Sequence, residues 1–199
     1  MLKRLFDIVA SAGGTAVLLP VYPLVALAIK LDSPGPVFYL QDRAGHHGEI
    51  FRIIKFRSMV DGADRHGDIT GPEDSRITRV GAILRRIKFD EMPSLLNVLK
   101  GDMSFVGPRP ESPDIVANYT VEQRQVLSVR PGITDPATLR FDNEADLMEN
   151  NAPADEVYVD QILPTKLSLS LEYIQRRSFW FDLRIIFATL FMIARRTIG

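Results

Sequence analysis

The chain of 199 residues contains no cysteine and only three histidines. The lack of cysteine excludes a disulfide framework, a thiolate nucleophile and a thiolate metal site. His46 and His47 stand together at a predicted turn and His66 stands alone, so the histidines lack the spacing of a metal site. Neither a Gly-x-x-x-x-Gly-Lys loop nor a Gly-x-Gly-x-x-Gly fingerprint occurs, which disfavours nucleoside triphosphatases and dinucleotide enzymes. No basic stripe interleaved with aromatic residues is present, so nucleic acid is not an expected partner.

The chain also has little net charge, −1 at neutral pH. That average hides an uneven distribution, because most lysines and arginines precede position 140 whereas carboxylates crowd residues 142–160. With 46% hydrophobic and 25% charged residues, the composition is typical of a globular protein. The length predicts a single domain over residues 1–199.

Residues 8–29 form the longest apolar run, and as a helix they would measure roughly 33 Å, enough to cross a bilayer. Pro20 and Pro23 interrupt this run and predict a bend near Pro20. A sharp bend would leave two arms of ~18 Å each and return both ends to one face, as in a re-entrant membrane segment over residues 5–31. Basic residues near both ends favour this arrangement over a straight span. A cleaved signal peptide is disfavoured because no small-residue cleavage site precedes Lys30.

The remaining sequence predicts a mainly α fold with one small β-hairpin, whose strands cover residues 37–40 and 50–56. Apolar spacing and capping signals predict further helices. They cover residues 76–86, 91–100, 120–129, 155–162 and 164–177, with a loop at 133–140. The last segment, residues 179–196, carries Trp180 and flanking arginines, which is typical of an amphipathic interfacial helix. Packing of this helix on the soluble core is the alternative.

The densest polar cluster is Lys88-Phe89-Asp90-Glu91-Met92-Pro93, where two adjacent carboxylates follow a basic run and open an apolar helix. One interpretation is structural, with Asp90 as the N-cap and Glu91 complementing the helix dipole. The other is an anion site, because the Gly- and Pro-rich loop of residues 101–110 would let a phosphate approach the backbone beside Arg109. Further cations could serve a pyrophosphate. They are Lys55, Arg57, Arg85, Arg86, Arg130 and Arg140.

Several ordered motifs give the chain a family resemblance over essentially its whole length. They are Lys3-Arg4-Leu5-Phe6-Asp7, Ser33-Pro34-Gly35-Pro36-Val37-Phe38, Lys55-Phe56-Arg57-Ser58-Met59, Phe89-Asp90-Glu91-Met92-Pro93, Asn97-Val98-Leu99-Lys100-Gly101-Asp102-Met103-Ser104, Val106-Gly107-Pro108-Arg109-Pro110 and Arg130-Pro131-Gly132-Ile133-Thr134. In these motifs the chain resembles the bacterial sugar transferases, the small monotopic phosphoglycosyl transferases that initiate glycoconjugate assembly.

The resemblance implies that Asp90 and Glu91 are a catalytic dyad. Asp90 would attack the sugar-linked phosphate of a UDP-sugar, expel UMP and hold the phosphosugar until polyprenyl phosphate accepts it. A Mg²⁺ ion held by Asp90 and Glu91 would offset the charge of the pyrophosphate.

The resemblance also implies a location. Residues 5–31 would be re-entrant in the bacterial inner membrane, and residues 32–199 would form an α/β catalytic part with interfacial helices on its cytoplasmic face. Expected partners are the lipid bilayer and the glycosyltransferases that act next, and the sequence leaves self-association open.

The sequence departs from the family pattern in two places. Leu19-Pro20 stands where relatives often have Ser-Pro at the helix break. Residues 135–141 replace a Gly-containing loop, so that Arg140 is a substitute for the family's arginine, and the sugar is expected to be selected near this loop. A catalytically silent scaffold and a single-pass signalling anchor are the alternative functions.

Overall fold

The computed structural model describes residues 2–63, 74–141 and 157–198. It opens with two helices, α1 (Leu2–Leu18) and α2 (Tyr22–Asp32), which meet at a bend of 62°. Pro20 lies in the break, as predicted, while Pro23 lies in the first turn of α2, where its missing N–H costs no helical bond. Within the described ranges no single helix is long and apolar enough to cross a membrane, but this bent pair reaches that length and hydropathy together.

A two-stranded antiparallel hairpin follows, formed by β1 (Phe38–Ala44) and β2 (Ile50–Phe56). Its register places Lys55 opposite Tyr39. A short 3₁₀ turn at His46–Gly48 joins the strands, with His47 and Gly48 both at positive φ. The prediction of the hairpin is therefore confirmed, although β1 extends four residues beyond the predicted 37–40.

The segment that carries the predicted dyad differs from expectation. Helix α3 (Arg79–Arg86) is capped by Thr78, and a 3₁₀ helix at Phe89–Ser94 leads into α4 (Leu95–Lys100). The predicted N-cap role of Asp90 is wrong, because the 3₁₀ helix follows Lys88 in a left-handed conformation (φ 56°) and Asp90 lies inside the first turn. Its carboxylate is therefore not used as a helix cap.

A short parallel ladder, β3 (Ser104–Val106) with β4 (Gly132–Thr134), was not predicted. Together with α6 (Pro136–Arg140), β4 occupies most of residues 133–140, so the prediction of a loop there is wrong. Gly107 is pressed against this ladder, and a Cβ on it would lie 2.3 Å from the Arg130 carbonyl oxygen. Only glycine fits this approach.

The remaining elements form the helical part of the core. α5 (Pro113–Ala117) is followed by a 3₁₀ helix at Gln123–Ser128, which replaces the α-helix predicted at 120–129, although Thr120 and Gln123 exchange the expected capping bonds. A π turn at Tyr158–Ile162 leads into α7 (Leu163–Arg176) and then α8 (Phe179–Ile198). The start of the helix predicted at 155–162 lies outside the described residues.

Candidate active site

The site is built around the side chains of Asp90 and Glu91 at the start of the 3₁₀ helix. Glu91 Oε1 accepts two charged hydrogen bonds, from Lys55 Nζ at 2.8 Å and from Arg109 Nη2 at 3.0 Å. Asp90 is 8% exposed, and in the described part of the chain no donor reaches its buried Oδ1. One carboxylate is therefore held by two cations, while the other keeps an acceptor oxygen unused.

The electrostatics separate the two carboxylates. Burial raises the pKa of Asp90, and the charge of Glu91 raises it further against the opposing effects of Lys55, Arg85 and Lys88. Burial also acts to raise the pKa of Glu91, but Lys55 and Arg109 hold it well below its ordinary value. The pKa values of the two carboxylates are therefore shifted in opposite directions, so that the negative charge is favoured on Glu91.

The structure brings only some of the other predicted phosphate ligands close to Asp90 and Glu91. Arg85 is half-buried and its charge lowers the pKa of Asp90, so it belongs to the cluster. The guanidinium of Arg57 is buried and donates to the carbonyl oxygens of Pro34 and Ser33, both at 2.7 Å. Its contacts are structural, at the exit of α2.

The last predicted cations are also engaged or placed elsewhere. Arg130 Nε donates to the Gly101 carbonyl oxygen at 2.7 Å, and Arg140 is exposed in the last turn of α6. Lys88, which the sequence analysis placed in the polar cluster but did not name as a phosphate ligand, acts through its charge to lower the pKa of both carboxylates.

The two carboxylates fit a magnesium ion only in part. No group of three His, Asp or Glu side chains arranged for a metal occurs among the residues described. Mg²⁺ is usually held by one or two carboxylates and completed by substrate phosphates and water. Asp90 and Glu91 could supply the carboxylates of that ligand set, although Glu91 Oε1 is already engaged by Lys55 and Arg109.

Both ends of the bent helix pair are fixed to the body that carries the dyad. Near the start of α1, the buried Asp7 accepts from Ser104 Oγ at 3.1 Å and from the Phe105 N–H at 3.2 Å. At the end of α2, Asp32 Oδ2 accepts from the Val80 N–H at 2.8 Å. Both ends of the pair are therefore attached to the same folded body.

Comparisons with known proteins agree with this arrangement of motifs. The family model described as bacterial sugar transferase matches residues 1–196. The UDP-glucose:undecaprenyl-phosphate glucose-1-phosphate transferase of Caulobacter vibrioides is 40% identical over 94% of this chain and 68% of its own length. The exopolysaccharide production protein PSS of Rhizobium leguminosarum bv. phaseoli is 40% identical over 96% of this chain and 94% of its own. The undecaprenyl-phosphate glucose phosphotransferase of Komagataeibacter xylinus is 39% identical over 94% of this chain, which spans only 35% of that protein.

Proposed function

The chain belongs to the bacterial sugar transferase family, and on that premise we propose that it transfers a phosphosugar from a UDP-sugar to polyprenyl phosphate and releases UMP. The observation that carries the proposal is the buried, unpartnered Asp90 Oδ1 beside a Glu91 whose charge is neutralised by Lys55 and Arg109. Similar proteins carry names of undecaprenyl-phosphate sugar phosphotransferases with glucose or N-acetylgalactosamine as the sugar. This supports the reaction class and leaves the sugar open.

In the first step, Asp90 Oδ1 attacks the phosphorus that bears the sugar. A bond forms between Oδ1 and that phosphorus, the bond from the phosphorus to the oxygen bridging to UMP breaks, and UMP leaves with the electron pair. Lys55, Arg109 and Arg85 supply the positive charge that lets an anionic nucleophile approach a diphosphate. A Mg²⁺ ion bound by Asp90, Glu91 and the phosphates would supply further charge neutralisation.

In the second step, a phosphate oxygen of the polyprenyl phosphate attacks the same phosphorus. The bond to Asp90 Oδ1 breaks, the carboxylate is restored, and the product is a polyprenyl diphosphate sugar. The Asp90 carboxylate is therefore the nucleophile of the first step and the leaving group of the second. Its raised pKa makes it a more basic nucleophile than an ordinary aspartate.

A re-entrant placement of the bent helix pair brings this chemistry to a lipid-linked acceptor. The contacts of Asp7 and Asp32 support this placement, because they attach both ends of the pair to one folded body. A straight span would put the two ends on opposite sides of the membrane. The outward side chains of the pair are apolar, and α8 exposes Trp180, Phe187 and Phe191, as expected of an interfacial helix. We place the catalytic part on the cytoplasmic face, where the glycosyltransferases that act next would take up the product.

The decisive experiment is intact-protein mass spectrometry after incubation with Mg²⁺ and a panel of UDP-sugars, without acceptor lipid. The wild-type chain should gain the mass of one phosphosugar, and Asp90→Asn should gain none. UMP release is then measured with polyprenyl phosphate added. Release without an adduct from any sugar would overturn the covalent step, and no release with any sugar would overturn the transferase and favour a silent scaffold.

A further inference from the structure

Asp135 is a second buried carboxylate outside the dyad. It is 1% exposed and stands directly after β4, where its Oδ1 caps α6 by accepting from the Thr138 N–H and from Thr138 Oγ1, both at 2.7 Å. Its other oxygen, Oδ2, is buried and has no hydrogen-bond partner in the described ranges. An unpartnered carboxylate oxygen is costly to bury, because an ionised acceptor loses its water without compensation. The cap explains one oxygen of Asp135 and leaves the other unexplained.

The backbone places Asp135 beside the loop that carries Arg109. The Gly107 N–H donates to the Thr134 carbonyl oxygen at 3.1 Å, and the Pro108 carbonyl oxygen accepts from the Gly132 N–H at 3.0 Å. The loop before Arg109 is thus held along β4, and Asp135 is the residue directly after β4. These two backbone hydrogen bonds hold the loop that leads to Arg109 against the strand that leads to Asp135.

Two cations act on Asp135. Burial raises its pKa, and against that the Thr138 hydrogen bonds and the charges of Lys166 and Arg109 lower it. Lys166 is engaged in the core, where its Nζ donates to Tyr158 Oη at 2.9 Å. Arg109 is the cation at the active site, with a side chain 33% exposed and one nitrogen donating to Glu91. Arg109 therefore donates a hydrogen bond to one carboxylate, that of Glu91, and acts through its charge on a second, that of Asp135.

We propose that Asp135 is a positioning residue for Arg109, whose guanidinium turns to the unpartnered Oδ2 when the donor diphosphate enters between Arg109 and Glu91. A guanidinium has five N–H donors in a rigid fork, so it can bind a carboxylate with one edge and a phosphate with the other. Held in this way, the fork faces the phosphate in a fixed orientation, which lowers the cost of ordering it on binding. This inference rests on the proposed transferase function.

The test compares two substitutions around the same cap, with UMP release measured on the full chain in lipid. In Asp135→Asn an amide oxygen can keep the cap, but the acceptor at Oδ2 is lost. We expect the KM for the UDP-sugar to rise about 10-fold or more while kcat changes less than about threefold, because a contact made on donor binding is removed. Thr138→Val is the matched control, since it removes a hydrogen bond to Oδ1 and leaves Oδ2, so it should lower Tm without changing KM. Asp135→Ser, which also retains a capping oxygen, should reproduce the rise in KM if Asp135→Asn folds poorly.

A double-mutant cycle decides whether Asp135 acts through Arg109. In an Arg109→Lys background, which lacks the fork, Asp135→Asn should add less than about twofold to KM. An unchanged KM in the single variant, or effects that multiply in the double variant, would overturn the inference while the wild-type activity stood. A wild-type chain that releases no UMP would instead overturn the proposed function together with this inference.

Discussion

Replacing Lys55 with methionine gives a direct measure of the energetics of the dyad. Lys55 Nζ lies 2.8 Å from Glu91 Oε1, and the two side chains are only 16% and 12% exposed. Methionine keeps most of the apolar stem and removes the charge, so the change isolates the ion pair. Glu91 would then keep Arg109, at 3.0 Å, as its remaining hydrogen-bonded cation.

The magnitude follows from this burial. Breaking a buried pair costs about 3–5 kcal/mol when the remaining charge is left alone. Arg109 stays in place, so we expect Lys55→Met to lower the free energy of unfolding by about 2–3 kcal/mol. For a chain of this length, that corresponds to a fall in Tm of about 5–10 °C.

The assay is thermal and denaturant unfolding in detergent, with Arg52→Met as the control on the same strand. Arg52 pairs with Asp42 at 3.3 Å, but these side chains are 72% and 59% exposed. Exposed pairs are worth about 0–1 kcal/mol, so the control should barely shift the transition.

The pH dependence adds a second criterion. The depressed pKa of Glu91 means that its pairing stabilises the fold above the pKa of the unfolded state, and this stability is lost as the pH falls through the folded-state pKa. The difference between wild type and Lys55→Met should therefore be largest near neutral pH and vanish in strong acid. Equal losses for the Lys55 and Arg52 variants, or a difference that does not depend on pH, would refute this account.

Two further predictions concern the proposed nucleophile and a close backbone contact. Burial raises the pKa of Asp90, and only the ionised carboxylate can attack. The rate of adduct formation should therefore fall as the pH drops through the pKa of Asp90, which lies above the value of about 3.9 for an ordinary aspartate. A rate that persists below a pH of about 3.9 would contradict this prediction. Gly81→Ala should lower the free energy of unfolding by about 2 kcal/mol or more, since its Cβ would lie 1.9 Å from the Ser58 carbonyl oxygen. Gly13→Ala is the control: a Cβ there has nothing within 4 Å, so this change should raise the free energy of unfolding by up to about 1 kcal/mol. Circular dichroism melts of both variants decide the point, and equal shifts would contradict the steric explanation.

Much of the fold follows from local signals in the sequence. Pro20 locates the bend, and the strand pattern locates the hairpin, because both depend on residues close in the chain. The β3 and β4 ladder was missed, since strands of three residues show no alternation to detect. The N-cap rule failed at Asp90 because it assumed an ordinary helix start, whereas Lys88 adopts a left-handed conformation that shifts the start of the turn.

The sequence named several of the side chains that the structure brings together, but not which of them pair. Lys55 and Arg109 were expected near phosphates, and the structure pairs both with Glu91, across separations of 36 and 18 residues. No local pattern reports such a pairing. Asp135 was noticed only as a departure from the family loop, since its unpartnered oxygen depends on how β4 packs. The roles of all these residues in phosphate binding remain predictions.

The double attachment of the bent helix pair has a mechanical consequence. With α1 held through Asp7 and α2 through Asp32, the angle between the arms cannot open without pulling on β3 or on the start of α3, which leads to the dyad. In the proposed membrane setting the arms therefore cannot open or close to change how deeply the bend reaches into the leaflet. The surrounding lipid must adapt to that depth instead, at a modest cost for each ångström of mismatch. The height of Asp90 relative to the headgroups is then a property of the protein, and the bilayer adjusts to it.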